Sequence, residues 1–254
     1  MIDLHCHIHG IDDGVKTMNY SLAMAYAAVA EGITHILAMP HYKNVRWDNE
    51  KTDILRDVEN HQNELNDRDI PLIIFPRQEI RKIEEMMEDI QENKIQFIDE
   101  LNQDFLIEFP TATIPAFMDS LFFNIQTKGI TPVIVYPERN RAILNDPNKM
   151  LALIEKGALA QLTAGSYVGT FGKKNQKISR QLIVAGLVHI IASDAHNLQS
   201  RTFHLKEAYE KLEKEFDKKK VQQFKQTTKD LNNGEIIVTN PPKEVKVSKF
   251  LGLF

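Results

Sequence analysis

Ile2-Asp3-Leu4-His5-Cys6-His7 stands at the head of the chain, and the reading of the fold works outward from it. Residues two apart on a strand share a face, so His5 and His7 project together while Cys6 turns away. Two adjacent imidazoles repel when protonated and are costly to bury unpaired; a divalent metal is the usual reason to place them so. Two unrelated polar residues near a frayed terminus would show the same spacing, so the pair alone decides nothing. The positions of the other His, Asp and Glu residues decide it.

Beyond this strand, short apolar runs alternate with longer amphipathic stretches. Strands are predicted over 2–7, 34–39, 71–76, 104–109, 131–136, 158–163 and 188–193. Helices are predicted over 19–31, 49–67, 82–93, 115–128, 147–156 and 177–185, with closing helices over 203–216 and 219–231. Gly32, Gly129 and Gly186 fall just past helix ends, and Pro115 opens a first turn. Seven βα units in unbroken alternation argue for parallel strands, as a barrel or as an open doubly wound sheet. No Gly-rich phosphate loop follows the first strand, which counts against a dinucleotide-binding fold.

The bulk properties agree with one α/β body of 254 residues, 43% hydrophobic and 26% charged. A net charge of −4 gives no nucleic-acid footprint. Cys6 is the single cysteine, so no intrachain disulfide and no thiolate zinc cluster can form. With neither a basic-then-apolar leader nor a bilayer-length apolar run, the expected location is the cytoplasm and the chain is not read as an integral membrane protein. Residues 1–235 are read as the folded body, and 236–254 as a Lys-containing, flexible tail outside the core.

Candidate ligands fall at the carboxyl ends of the predicted strands. His5 and His7 end the first, His41 follows the second, Glu79 the third, and Glu108 ends the fourth. Tyr136, Glu138 and Arg139 follow the fifth, and Asp194 and His196 the seventh. In a parallel barrel those ends share one face, where such enzymes do chemistry. Imidazoles with carboxylates suit Mn, Fe or Zn, and a carboxylate such as Glu79 can bridge two ions. Ions a few ångströms apart can generate hydroxide at neutral pH. Arg139 and Arg201 add guanidinium forks that match phosphate oxygens, favouring phosphate-ester hydrolysis over amide or deaminase chemistry.

The ordered set His5-Cys6-His7, Asp12-Asp13-Gly14, Pro40-His41-Tyr42, Gln78-Glu79-Ile80-Arg81, Glu108-Phe109-Pro110, Pro137-Glu138-Arg139, Gln161–Ser166 and Ser193–Asn197 resembles a known family. It is similar to the bacterial manganese-dependent protein tyrosine phosphatases of the polymerase and histidinol phosphatase (PHP) superfamily, which act in capsule and exopolysaccharide synthesis. The resemblance runs from about Met1 to Arg201, and the Lys-rich tail ending Phe-Leu-Gly-Leu-Phe is also similar. It implies a distorted (β/α)7 TIM-like barrel with two or three Mn²⁺ ions, Fe or Zn being alternatives. By position, His5, His7, Glu79 and Asp194 would hold one ion. Glu79 and Glu108 would hold a second, with a histidine where this chain has Tyr136. Asp13, His41 and His196 would surround a third, and Arg139 and Arg201 would bind the phosphoryl group. The implied substrate is the phosphotyrosine-containing tail of a membrane-associated tyrosine kinase, which would recruit the chain to the inner membrane face.

This chain departs from that pattern at Tyr136, a neutral phenol and poor Mn²⁺ ligand, and in a loop over 8–13 one residue short, where Asp12, Asp13 or His9 could be the ligand. Arg77 stands where glycine is common. A small-molecule phosphatase, or an impaired homologue that binds phosphotyrosine or the kinase, are the alternative functions. His35 and His189 read as structural, and His61 and His204 as surface or rim residues. Glu84, Glu85, Glu88 and Asp89 read as one solvated helix face, and Thr163–Ser166 equally as a substrate contact or as a tight loop after the sixth strand.

Overall fold

The computed structural model describes residues 1–8, 10–44, 46–81 and 85–246. The strands are β1 (Ile2–Cys6), β2 (His35–Ala38), β3 (His41–Tyr42), β4 (Ile73–Pro76), β5 (Glu79–Ile80), β6 (Asp104–Ile107), β7 (Thr131–Val135), β8 (Leu159–Thr163) and β9 (Ile190–Ala192). The helices are α1 (Met18–Ala30), α2 (Lys51–Asn66), α3 (Met86–Gln91), α4 (Met118–Gln126), α5 (Arg141–Asn145), α6 (Lys149–Glu155), α7 (Ala164–Val168), α8 (Lys173–Ala185), α9 (Leu205–Glu215) and α10 (Lys218–Asn233). Strands and helices alternate along the chain, apart from the consecutive pairs β2–β3, β4–β5, α5–α6, α7–α8 and α9–α10. Among the described residues no helix is long and apolar enough to cross a membrane.

Every strand pair is parallel, in two sheets ordered β1-β2-β4 and β3-β5-β6-β7-β8-β9. Nine strands stand where seven were predicted, because the short β3 and β5 lie just past the predicted ends at 39 and 76. Met39–Pro40 separates β2 from β3, and Arg77–Gln78 separates β4 from β5, proline having no N–H for a ladder. The result is two parallel sheets rather than one continuous closed ladder. The first and last strands nevertheless touch: Cys6 bridges Ala195, His7 N donates to Ala195 O at 2.8 Å, and Asp194 N donates to His5 O at 2.9 Å.

The two faces of the strands bury separate apolar sets. Leu4, Leu37, Leu106, Val133, Val135 and Ile190 form one cluster, while Cys6, Ile36, Ile107, Ile134 and Ile191 join the larger core under the helices. A register shift between Asp3 and Cys6 in β1 lets Leu4 and Cys6 lie in different clusters although both are even-numbered. The alternation expected locally survives: Cys6 is buried in the core and faces away from His5 and His7.

Several local readings are corrected. Thr163–Ser166 is not a loop, since α7 begins at Ala164. His61 is buried and its ring lies 3.0 Å from Ser21 Oγ. Asp89 leaves the solvated face and takes Lys43 Nζ at 2.7 Å. Arg77, where glycine is common, is buried and donates to Ile98 O, Pro76 O and Glu100 Oε1 at 2.6, 2.7 and 2.8 Å. The segment read as a tail outside the core is anchored where described, with Val245 buried, Val245 N donating to Asn148 Oδ1 at 2.7 Å, and Lys243 N donating to Ala185 O at 2.8 Å. The rest of that expected tail, 247–254, lies outside the described residues, as does Glu84 of the solvated-face reading.

Candidate metal centre

Strand ends and the loops after them bring the predicted side chains together from positions 5 to 201. His5 lies one residue before the end of β1 with His7 just after it; His41 and Glu79 lie on β3 and β5, paired in register. Glu108 follows β6, and Asp194 and His196 follow β9. Their donor atoms group as His5–His7–Glu79, as His41–Glu79–Glu108, and as His7–Asp13–His41–His196.

The imidazoles are aimed by partners behind them. His5 Nδ1 lies 3.1 Å from Gln161 Oε1, and His7 Nδ1 lies 2.7 Å from Asp12 Oδ2. Amide and carboxylate oxygens only accept, so both Nδ1 atoms carry a proton and both Nε2 atoms point inward. Those two Nε2 atoms face each other at 3.0 Å. Glu79 Oε2 sits 3.4 Å from each of them and 3.0 Å from His41 Nδ1. Asp194 Oδ1 sits 3.6 and 3.7 Å from His5 and His7 Nε2.

Several of these inward atoms make no hydrogen bond: His41 Nδ1, Glu79 Oε2, Glu108 Oε2, Asp194 Oδ1 and His196 Nε2 are all buried and without one. Orphaned buried donors and acceptors cost roughly 1–3 kcal/mol each, more when charged. Five of them aimed at one small volume fit a divalent cation.

The electrostatics state the same demand. Burial opposes charge on His7, yet Asp12 and Glu79 raise its pKa to about 9. Burial likewise opposes charge on His41, and Glu79 and Asp13 raise it to about 11. His196 goes the other way, to about 4, through burial and the neighbouring His7. Against the same burial, His5 and His41 hold Glu79 well below its ordinary range, and Arg201 and Arg139 hold Asp194 low. Glu108 is raised by burial and by Glu79. A centre so rich in acids recruits positive charge, from protons when nothing better is present.

The short loop settles into distinct roles for its two acids. Asp12 is buried, receives Gly14 N at 2.9 Å and His41 N at 3.3 Å, and stands behind His7. Asp13 faces the centre, with Oδ1 3.3 Å from His41 Nε2 and 3.2 Å from His196 Nε2, and its side chain remains 42% exposed. A Cβ on Gly14 would overlap the His7 carbonyl, so this turn has room only for glycine. His9, the third candidate, lies outside the described residues.

Both arginines converge on one oxygen. Arg139 Nη1 and Arg201 Nη2 donate to Asp194 Oδ2, the latter at 2.8 Å, and each side chain is about a quarter to a third exposed. Tyr136 is placed at the same centre, in the left-handed region at φ 36°, and its hydroxyl donates to Glu79 Oε1 at 2.7 Å. The Arg139 guanidinium lies 4.4 Å over the Tyr136 ring. Arg81 Nη1, which sequence reasoning quoted but gave no role, donates to Glu108 Oε1 at 2.6 Å. Gln161 was likewise quoted without one; its place on β8, level with β1, is visible only in three dimensions.

Comparison with known proteins matches this arrangement to a family. Residues 1–233 match the model described as capsular polysaccharide synthesis, CpsB/CapC. The tyrosine-protein phosphatase YwqE of Bacillus subtilis is 40% identical, with all of both chains covered. The tyrosine-protein phosphatase CpsB of Streptococcus pneumoniae is 28% identical over 96% of this chain and 97% of its own. A solved structure, from work on YwqE of Bacillus subtilis and CpsB of Streptococcus pneumoniae as metal-dependent tyrosine phosphatases, superposes with a TM-score of 0.94 at 40% identity, covering 97% of this chain and 100% of that one. A match over nearly the whole length, together with parallel strands that gather one set of acids and imidazoles, makes this chain a member of the CpsB/CapC family.

Proposed function

We propose that this chain is a metal-dependent protein-tyrosine phosphatase of capsule or exopolysaccharide synthesis, acting on the phosphotyrosine-bearing tail of a membrane-associated tyrosine kinase. The observation that carries the reading is the convergence of orphaned nitrogen and carboxylate atoms beside two arginines that share one carboxylate oxygen. The relatives' names support it. We read the two sheets as a distorted (β/α)7 barrel, with β2 running on into β3, β4 into β5, and β1 meeting the segment after β9.

The donors divide into two seats rather than three. A neutral imidazole has one lone pair to offer. His5 Nε2, His7 Nε2, Glu79 Oε2 and Asp194 Oδ1 make the first seat. His41, His196 and Asp13 Oδ1 make the second. At the third corner, Glu108 Oε1 is taken by Arg81 and Glu79 Oε1 by Tyr136, and a neutral phenol, a poor ligand, stands in the third position. Manganese is the ion this mixed N/O set suits, iron and zinc being the alternatives.

Ions held in these seats supply Lewis acidity and charge neutralisation for phosphate-ester hydrolysis. The chain's own groups do the rest. Arg139 and Arg201 each spend one N–H on Asp194 and keep donors for the phosphoryl oxygens, whose charge they offset in the transition state. Asp13, the exposed carboxylate of the group, orients water at the rim. Phe109, Thr111, Tyr136, Pro137 and Asn140 line a cleft beside Glu108, and this cleft takes the aromatic ring of the substrate.

Hydrolysis of a phosphotyrosine peptide in Mn²⁺ tests the proposal. Glu79→Ala should lower the rate by three orders of magnitude or more. Equal background release by wild type and variant would sink it.

A further inference from the structure

One ring beside the phosphoryl-binding arginines comes from outside every motif that builds the centre. Phe171 lies half-buried in the turn 169–172 between α7 and α8, and the Arg139 guanidinium carbon stands 5.6 Å from its ring centroid. Tyr136 offers the same guanidinium a second ring at 4.4 Å. Phe171 is not among the residues lining the cleft beside Glu108, so it is no wall of that cleft. The turn that carries it is fixed by the backbone. Gly165 O accepts Gly169 N at 3.1 Å and Thr170 N at 2.9 Å, and Gly169 O accepts Gly172 N at 3.0 Å. Val168 O accepts Gln176 Nε2 at 2.8 Å just before it. The ring itself rests on Gly165, where an added Cβ would come within 3.2 Å of it, so this contact leaves no slack for a side chain beneath.

The contact answers a need of Arg139. Its side chain is long, rich in rotamers and 30% exposed, and its Nη1 bond to Asp194 fixes one point of a planar group. A fork held at one point still swings about it, and the donors left for phosphoryl oxygens swing with it. An aromatic face attracts the guanidinium charge and limits that motion. A cation fixed before reaction stabilises developing charge without having to be ordered at the moment of reaction. Leucine would keep an apolar group over Gly165 but has no ring face for the cation.

We propose that Phe171 is a positioning residue for phosphoryl transfer. With Tyr136, its ring holds the Arg139 guanidinium so that one N–H stays on Asp194 and the remaining donors face the phosphoryl oxygens. This rests on the phosphatase reading, which gives those donors to the phosphoryl group.

Phe171→Leu and Phe171→Tyr, made in the full chain, test it by two readouts. The first needs neither metal nor turnover. The Arg139 Nε–H resonance of ¹⁵N-labelled protein, assigned by its loss in Arg139→Lys, should move downfield in Phe171→Leu, where the shielding of the ring face is gone. In Phe171→Tyr it should stay near its wild-type position. The second readout is hydrolysis of a small aryl phosphate at saturating Mn²⁺. In Phe171→Leu kcat should fall by about two- to thirtyfold, the range of a cation–π contact, with KM changed less, and Phe171→Tyr should restore it. A ring that served packing alone would lower the unfolding midpoint and leave both the resonance and kcat per folded molecule in place. An unmoved resonance, a wild-type kcat in Phe171→Leu, or equal losses in the leucine and tyrosine variants overturns the proposal. Wild-type protein that releases no phosphate, while the resonance moves as expected, would overturn the phosphatase reading and show the Arg139 contact to be real without it.

Discussion

The Tyr136 hydroxyl donates to Glu79 Oε1 at 2.7 Å, on the carboxylate whose other oxygen faces three histidines. That bond ties a neutral phenol, a poor ligand for Mn²⁺, to the most shared ligand of the centre. Purified protein reconstituted with Mn²⁺ should therefore contain two ions per chain by elemental analysis. Tyr136→His should raise this to three, and Tyr136→Phe should leave it at two. Three ions in the wild-type chain would show that the phenol does not close the third corner.

Asp12 should matter to metal retention more than to turnover. It sits behind His7 at 2.7 Å and makes no contact with the inward ring nitrogen. Losing such a supporting carboxylate costs about 10–100-fold in metal affinity. In a chelator competition Asp12→Ala should show that loss, with turnover at saturating Mn²⁺ reduced far less. The same replacement at Asp13, which faces the centre directly, should lower saturated turnover itself.

Buried His189 sets a pH dependence of stability away from the metals. Its Nδ1 accepts Ala160 N at 3.1 Å, and burial plus Lys220 lower its pKa to about 4. The unfolded imidazole takes a proton near pH 6.5 and the folded one does not. Stability from this group is thus complete above about pH 6.5 and is lost as the pH falls toward 4, by at most roughly 3 kcal/mol. Denaturant unfolding from pH 7.5 down to pH 4.5 should show a shallower decline in His189→Gln than in wild type. Parallel declines would place the sensitivity elsewhere.

Arg77 should be a stability residue with no part in hydrolysis. Removing its guanidinium strands the Ile98 and Pro76 carbonyls in a buried place and leaves Glu100 without its partner. Arg77→Met should lower the unfolding free energy by about 2–4 kcal/mol, with Mn²⁺ content and rate per folded molecule unchanged.

Much of this could be read from residues alone. Strand periodicity together with the placement of His5, His41, Glu79, Glu108, Asp194 and His196 after apolar runs located the centre, because parallel strands gather their carboxyl ends. Burial depends on who packs on whom, and that was less legible. His61 and Asp89 are polar residues on helices with polar neighbours, and nothing in their local sequence announces the Ser21 hydroxyl or the Lys43 ammonium that meets them. The two-residue strands β3 and β5, past the predicted ends at 39 and 76, are too short to show a strand period of their own. Asp12 and Asp13 are chemically identical neighbours, so only the turn at Gly14 tells which one stands behind a histidine.

The meeting of the two ends of the centre has a consequence in time. Asp3 accepts Ser193 N at 2.9 Å, and His5 O accepts Asp194 N at the same distance, across about 190 residues of intervening chain. A polypeptide still emerging from the ribosome presents His5 and His7 well before Asp194 and Arg201 have been made. Until the last strand is laid beside the first, the two imidazoles are an open pair of ligands with no carboxylate from the far end and no arginine over it. Competence is therefore acquired late and all at once, on completion of the body, and a chain cut short before β9 keeps its first histidines but has no seat to put them in.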